Sequence, residues 1–234
     1  MRSSLRAMTS GASAQVKICG LSTAQAVHSA LLGGASLIGF VFFARSPRNV
    51  TPEAAARLAE PARGRGVKVV AVTVDATDAE LDAIAATLRP DVIQLHGRET
   101  PGRAREIKAR TGAGAIKAIP VAEASDLAAA RDFDGVADHL MFDAKAPAGA
   151  ALPGGNGAAF DWDILKGLRL QRPWLLAGGL DPWNVGEAVR RSGAPMLDVS
   201  SGVERGAGLK DPALIAAFLD AVRKSDASPE RPPS

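Results

Sequence analysis

Two residue types suited to moving protons close short apolar runs that lie far apart in the chain. Cys19 ends Val16-Lys17-Ile18, and Asp143 ends Leu140-Met141-Phe142. A thiolate that removes a proton and a carboxyl that supplies one make a workable acid–base pair when their surroundings separate the two ionisations. Neither residue is decisive alone: a lone cysteine is more often a small buried hydrophobe, and an aspartate after a strand is often only a cap. His96, after Val92 to Leu95, is a further hydrogen-bonding or stacking group, and Asp198 follows Met196-Leu197. Lys17, two residues before the cysteine, reads either as a substrate contact or as a paired charge inside a pocket.

Anion-binding chemistry is written elsewhere. Ala177-Gly178-Gly179-Leu180 and Ser200-Ser201-Gly202-Val203-Glu204 are small-residue turns of the kind that present backbone N–H groups to a phosphate. The bland reading is that their glycines only permit tight turns. Arg45 and Arg48 flank Ser46-Pro47 on a short loop, where a guanidinium can hold a carboxylate through paired hydrogen bonds. Arg48, just after the proline, is the better candidate of the two.

These groups need elements to hold them. Apolar runs at 16–20, 37–42, 67–74, 92–97, 115–121, 139–145, 174–180 and 196–202 predict eight strands, and several are apolar almost throughout, as parallel strands covered on both faces are. Between them lie helix starts: Thr51-Pro52, Thr100-Pro101, Asp181-Pro182 and Asp211-Pro212 read as N-caps with proline at the first helical position. Ser22 with Gln25 and Thr77 with Glu80 read as capping boxes. Leu214, Ile215, Phe218, Leu219 and Val222 form a last apolar stripe.

Eight alternating units predict a single (β/α)8 barrel over residues 15–224, with its active site at the C-terminal rim of the strands. Residues 1–14 read as a disordered extension and 225–234 as a loose tail. A doubly wound dinucleotide fold is disfavoured, because the glycines at 154–157 do not open a helix after the first strand. The Gly-, Ala- and Pro-rich stretch from Lys145 to Asp161 reads as a mobile lid.

Composition narrows the function classes. With 47% hydrophobic and 23% charged residues and a net charge of +3, the chain is an ordinary globule without the basic aromatic tracts of a nucleic-acid binder. One cysteine forbids an internal disulfide, and three scattered histidines show no zinc spacing, so no metal and no cofactor is expected and a reducing cytoplasm fits. No apolar run reaches the roughly 18 to 20 residues a membrane span requires.

Taken in order, VKICGLS, GFVFFARSPRNV, VIQLHG, FDAK, LPGGNGAAFDW, LLAGGL and LDVSSGVE resemble the successive strand-end motifs of the phosphoribosylanthranilate isomerase family, from about Val16 to Val222. The resemblance implies an Amadori rearrangement of N-(5-phosphoribosyl)anthranilate to 1-(2-carboxyphenylamino)-1-deoxyribulose 5-phosphate in tryptophan biosynthesis, with no metal or organic cofactor. It also implies that Cys19 is the base and Asp143 the acid, that Arg48 holds the anthranilate carboxylate, that Gly178, Gly179, Ser200 and Ser201 bind phosphate, and that Asp198 supports the site from behind. Lys17 and His96 are carried as further substrate contacts. The expected partner is a phosphorylated small molecule, with neither nucleic acid nor membrane, and the chain a monomer or homodimer.

The sequence departs from the family's commoner pattern at Asn49, where an aromatic often follows the arginine, and at Asn156, where threonine or serine is frequent. Rival readings are the histidine-pathway aminoaldose isomerases or a dual-substrate relative, which usually pair two aspartates. A catalytically silent barrel would keep the glycine loops without needing Cys19 or Asp143.

Overall fold

Eight parallel strands close on themselves in chain order in this computed structural model, which describes residues 14–146, 154 and 159–226. They are β1 (Gln15–Cys19), β2 (Leu37–Phe42), β3 (Lys68–Thr73), β4 (Val92–Leu95), β5 (Gly114–Val121), β6 (His139–Ala144), β7 (Trp174–Leu176) and β8 (Met196–Val199). The expected eight runs thus all form strands, and the single (β/α)8 barrel stands. Most of the expected N-terminal extension and C-terminal tail, and residues 147–153 and 155–158 of the expected lid with Asn156 among them, lie outside the described residues.

Side chains alternate across the barrel wall because a strand has a period of two. Cys19, Leu37, Val41, Val70, Val72, Val92, Ile116, Ala118, Met141, Leu175, Ala177 and Met196 pack together as the interior. The intervening residues, such as Ile18, Ile38, Phe40, Ile93 and Phe142, join the larger cluster between strands and helices. This parity decides which polar residues point inward: Lys17 shares a face with Cys19, Gln94 and His96 with Val92, Asp143 with Met141, and Asp198 with Met196.

The outer layer contains α1 (Ala24–Leu32), α2 (Pro52–Ala59), α3 (Asp78–Thr87), α4 (Pro101–Thr111), α5 (Val185–Ser192) and α6 (Pro212–Asp226). The Thr51 and Thr100 hydroxyls accept from Ala54 N and Arg103 N, Thr77 and Glu80 form a full capping box, and Asp211 accepts from Ala213 N. Each such cap contributes about 1 kcal/mol.

Two expected starts are displaced. The cap of α1 is Thr23, not Ser22, and its hydroxyl accepts from Ala26 N. Asp181 accepts from both Trp183 N and Asn184 N, at 2.8 Å each, so it closes a turn and α5 begins only at Val185. After β5 and β6 the α-helix is replaced by 3-10 segments, Ala124–Phe133 and Trp162–Leu165. Among the described residues no helix is long and apolar enough to cross a membrane.

Candidate active site

Cys19 is the last residue of β1 and is buried. Strand register sets Lys17 beside Asp198 of β8, and the Lys17 ammonium donates to Asp198 Oδ1 at 2.6 Å from a wholly buried position. Burial by itself would lower the Lys17 ionisation. The negative charges of Asp198 and Cys19 outweigh it and raise the group to about 12. Lys17 therefore remains a cation facing the thiol. For Cys19, burial is the largest influence and raises the thiol above its ordinary value, Lys17 pulls it down, and Asp198 pushes it up. The structure turns Lys17 towards these two neighbours.

Asp143 occupies the corresponding position near the end of β6, three strand steps around the barrel from β1 through β8 and β7. Its Oδ2 lies 3.2 Å from Nε2 of His96, which follows β4, and His96 Nδ1 is 2.8 Å from the Gln94 side-chain nitrogen. The His96 ring is thus held between Gln94 and Asp143. Farther out, Lys117 donates to Gly97 O at 2.7 Å and pairs with Glu99 at 2.8 Å, while Glu99 accepts from Gly97 N. This buried pair stitches the turn that carries His96 to β5.

Arg48 is held in a way that its own segment of sequence does not disclose. Its Nε and Nη2 donate to the two carboxylate oxygens of Glu204 at 2.7 and 2.9 Å. Lys210 donates to the same carboxylate and to Ser200 O. Lys210 lies on the small hairpin of β9 (Glu204–Gly206) and β10 (Leu209–Lys210), and its charge also acts on Cys19. Burial depresses the Lys210 ionisation more than Glu204 restores it. Neither Glu204 nor Lys210 stands out in the sequence as a functional residue. The one clue is that Glu204 ends the glycine-containing turn after β8.

The two glycine turns meet at the rim. Gly178 has φ of +88°, a conformation that side-chain-bearing residues rarely adopt, and a Cβ there would strike the backbone of Ala144. A Cβ on Gly202 would overlap the Leu180 carbonyl oxygen, so the turns after β7 and β8 approach closely only because this position is bare. Asn184 donates to Gly179 O at 2.8 Å and braces the first turn, while Ser200 Oγ reaches Cys19 O at 3.3 Å and ties the second to β1. We expect Gly202→Ala to raise KM for a phosphorylated substrate by about 10-fold or more, through misplaced backbone amides, with a smaller effect on kcat. Steady-state kinetics with inorganic phosphate as a competing ligand check this, and an unchanged KM would refute it.

The structure therefore gathers Cys19, Lys17 and Asp198 on one side of the barrel mouth and Asp143 with His96 on another. Arg48 and the turns bearing Gly178, Gly179, Ser200 and Ser201 complete the rim. Arg45 stands exposed on its loop, and Asn49 turns its side-chain oxygen back to Phe43 N at 2.9 Å, an internal bond that closes the arginine loop. Among the described residues no three His, Cys, Asp or Glu side chains converge at metal-ligand spacing.

Comparison with known proteins gives this geometry relatives. The sequence profile of the family described as N-(5'-phosphoribosyl)anthranilate isomerase matches residues 16–221. The protein of that name from Caulobacter vibrioides is 64% identical over 209 residues, which cover 89% of this chain and 95% of the relative. A crystal structure of phosphoribosyl anthranilate isomerase from Thermotoga maritima superposes with a TM-score of 0.80 at 31% identity, covering 90% of this chain and 99% of the other. Another, a phosphoribosyl anthranilate isomerase in complex with reduced 1-(o-carboxyphenylamino)-1-deoxyribulose 5-phosphate, superposes with a TM-score of 0.76 at 28% identity, with coverages of 90% and 99%.

Proposed function

The chain belongs to the N-(5'-phosphoribosyl)anthranilate isomerase family and catalyses that isomerisation in tryptophan biosynthesis, and we propose that Cys19 and Asp143 are its base and its acid. The observation that carries these roles is parity. Cys19 and Asp143 both point inward at the rim end of their strands, the one beside cations and the other beside a histidine.

The proposed steps follow from that placement. Asp143 protonates the furanose ring oxygen, the C1′–O bond breaks, and the anthranilate nitrogen lone pair forms the C=N bond of an iminium ion. The positive nitrogen acidifies the C2′ proton, which the Cys19 thiolate removes. The C–H electron pair becomes the C1′=C2′ double bond, and the iminium electrons return to nitrogen. The resulting enolamine tautomerises to the aminoketone. No step changes the oxidation level of the substrate as a whole, so an acid and a base suffice.

The remaining contacts are proposed on the same footing. Arg48, oriented by Glu204, holds the anthranilate carboxylate. That carboxylate shares the guanidinium with Glu204 rather than taking the edge that Glu204 occupies. The turns with Gly178, Gly179, Ser200 and Ser201 hold the phosphate, in the place this fold commonly reserves for one. The ligand of the related structure, reduced 1-(o-carboxyphenylamino)-1-deoxyribulose 5-phosphate, carries a carboxylate on its phenylamino group and a phosphate at the other end of the reduced sugar chain, which supports two separate anion sites. A working thiol suits a reducing compartment, and we assign the enzyme to the cytoplasm.

Turnover of phosphoribosylanthranilate generated in situ, followed by loss of its fluorescence, tests the assignment. Absence of turnover where a known isomerase works would overturn it. The same assay read against pH tests the base. Only deprotonated Cys19 accepts the C2′ proton, and burial raises its thiol. For the free enzyme, kcat/KM should therefore climb with pH through an ionisation above the ordinary thiol value. A plateau already reached below that value would exclude the thiol as the group titrated.

A further inference from the structure

Gln94 and His96 have no role in the steps above, yet both lie on the inward face of β4 and both are tied to the acid. The Gln94 side chain is buried, about 1% exposed. Its nitrogen is 2.8 Å from His96 Nδ1 and 3.4 Å from Met141 Sδ, and its oxygen has no hydrogen-bond partner among the described residues. Turning the amide over would place the oxygen against Nδ1 and the thioether, leaving both N–H groups where the oxygen has no partner. One unmade acceptor is less costly than two unmade donors, so the observed orientation is the better one.

That orientation decides the tautomer. With a Gln94 N–H aimed at it, Nδ1 must be the accepting nitrogen, so the ring proton sits on Nε2, the nitrogen 3.2 Å from Asp143 Oδ2. The distance is at the long end of the hydrogen-bond range. Gly154 lies against the same junction: a Cβ there would come within 2.8 Å of Asp143 Oδ2 and closer still to His96 Nε2.

We propose that Gln94 and His96 are positioning residues for Asp143: Gln94 holds His96 with its proton on Nε2, and His96 engages Oδ2 so that Oδ1 delivers the proton to the substrate. This rests on the assignment of Asp143 as the acid. When Oδ1 gives up its proton to the ring oxygen, Asp143 becomes a carboxylate and the Nε2–H contact becomes a charge-assisted hydrogen bond. The pair thus stabilises the charge that develops and fixes which oxygen the proton leaves from.

Two readouts test this on the full-length enzyme. Long-range proton–nitrogen spectra separate protonated from bare ring nitrogens, and with three histidines in the chain the His96 signals are identified by their loss in His96→Asn. We expect Nε2 protonated and Nδ1 bare in the wild type, and a protonated Nδ1 in Gln94→Glu. In kinetics, His96→Asn, whose shorter amide does not reach Asp143, should lower kcat about 10- to 100-fold with KM changed less than about 3-fold. His96→Gln places an amide nitrogen near the Nε2 position and should recover kcat to within about 5-fold of wild type.

A wild-type Nδ1–H tautomer would overturn the proposal. So would equal losses in the Asn and Gln variants, an unchanged kcat in both, or a change confined to KM, which would make His96 a substrate contact. Wild-type turnover reports separately on the isomerase assignment, and the spectra need no turnover. Failure of the one is therefore distinguishable from failure of the other.

Discussion

Cys19→Ala and Asp143→Asn should each lower kcat by about 10³- to 10⁴-fold while the protein still folds and binds phosphorylated ligands. The alanine removes the only cysteine of the chain, and the adjacent Lys17 cannot replace it as a base because Asp198 holds its side chain as a cation. The asparagine keeps the size and the hydrogen-bonding reach of Asp143 towards His96 but has no acidic proton to give. Folding should survive because neither change opens a large cavity. Cys→Ala loses only a sulfur, and Asp→Asn is isosteric. Circular dichroism and binding of a product analogue establish that the variants are intact. A variant that retains more than about a tenth of wild-type kcat would remove that residue from the acid–base pair. If the two roles act in one sequence, the double variant should be little worse than either single one, since groups that work as a unit are strongly non-additive.

The second large effect concerns stability. Lys17→Met should destabilise the fold by about 3–5 kcal/mol, because it leaves Asp198 as a buried charge without its partner. Urea unfolding of Lys17→Met and of Lys17→Met/Asp198→Leu checks the cause. The double variant should recover most of the loss, since replacing both charges with apolar groups removes the uncompensated carboxylate. A double variant as unstable as the single one would show that packing rather than charge is at fault.

The same pair predicts a pH dependence. The Lys17 ionisation is raised in the folded protein to about 12 from 10.5, so the folded state holds this proton more tightly than the unfolded chain. Its contribution, about 2 kcal/mol, is fully present below pH 10.5 and is lost as pH rises through about 12. Between those limits the wild type should lose this share of its stability, and Lys17→Met should not.

Much of this site is legible in the amino-acid sequence. The β-branched apolar runs carry a period that sets which side chains face the barrel interior, and position at a strand end places a residue on the catalytic rim. Cys19, Asp143, His96 and the two glycine turns follow from that alone, as do the Thr51, Thr77 and Thr100 caps, whose hydrogen bonds span only three residues. Even here local signals err where a competing local bond wins. Thr23 displaces Ser22 as a cap, and Asp181 closes a turn instead of opening a helix.

What the chain order of residues leaves open is who meets whom across the closed barrel. Lys17 and Asp198 are 181 positions apart, and they touch because closure pairs the first strand with the last. Arg48 and Glu204 are 156 apart and meet where the turn after β2 comes round to the hairpin after β8. His96 reaches Asp143 across β5, which stands between their strands. Strand period is a local property, written in each segment and legible there. Ion pairs and proton paths depend on register and closure, which no single segment contains, so only the folded barrel decides them.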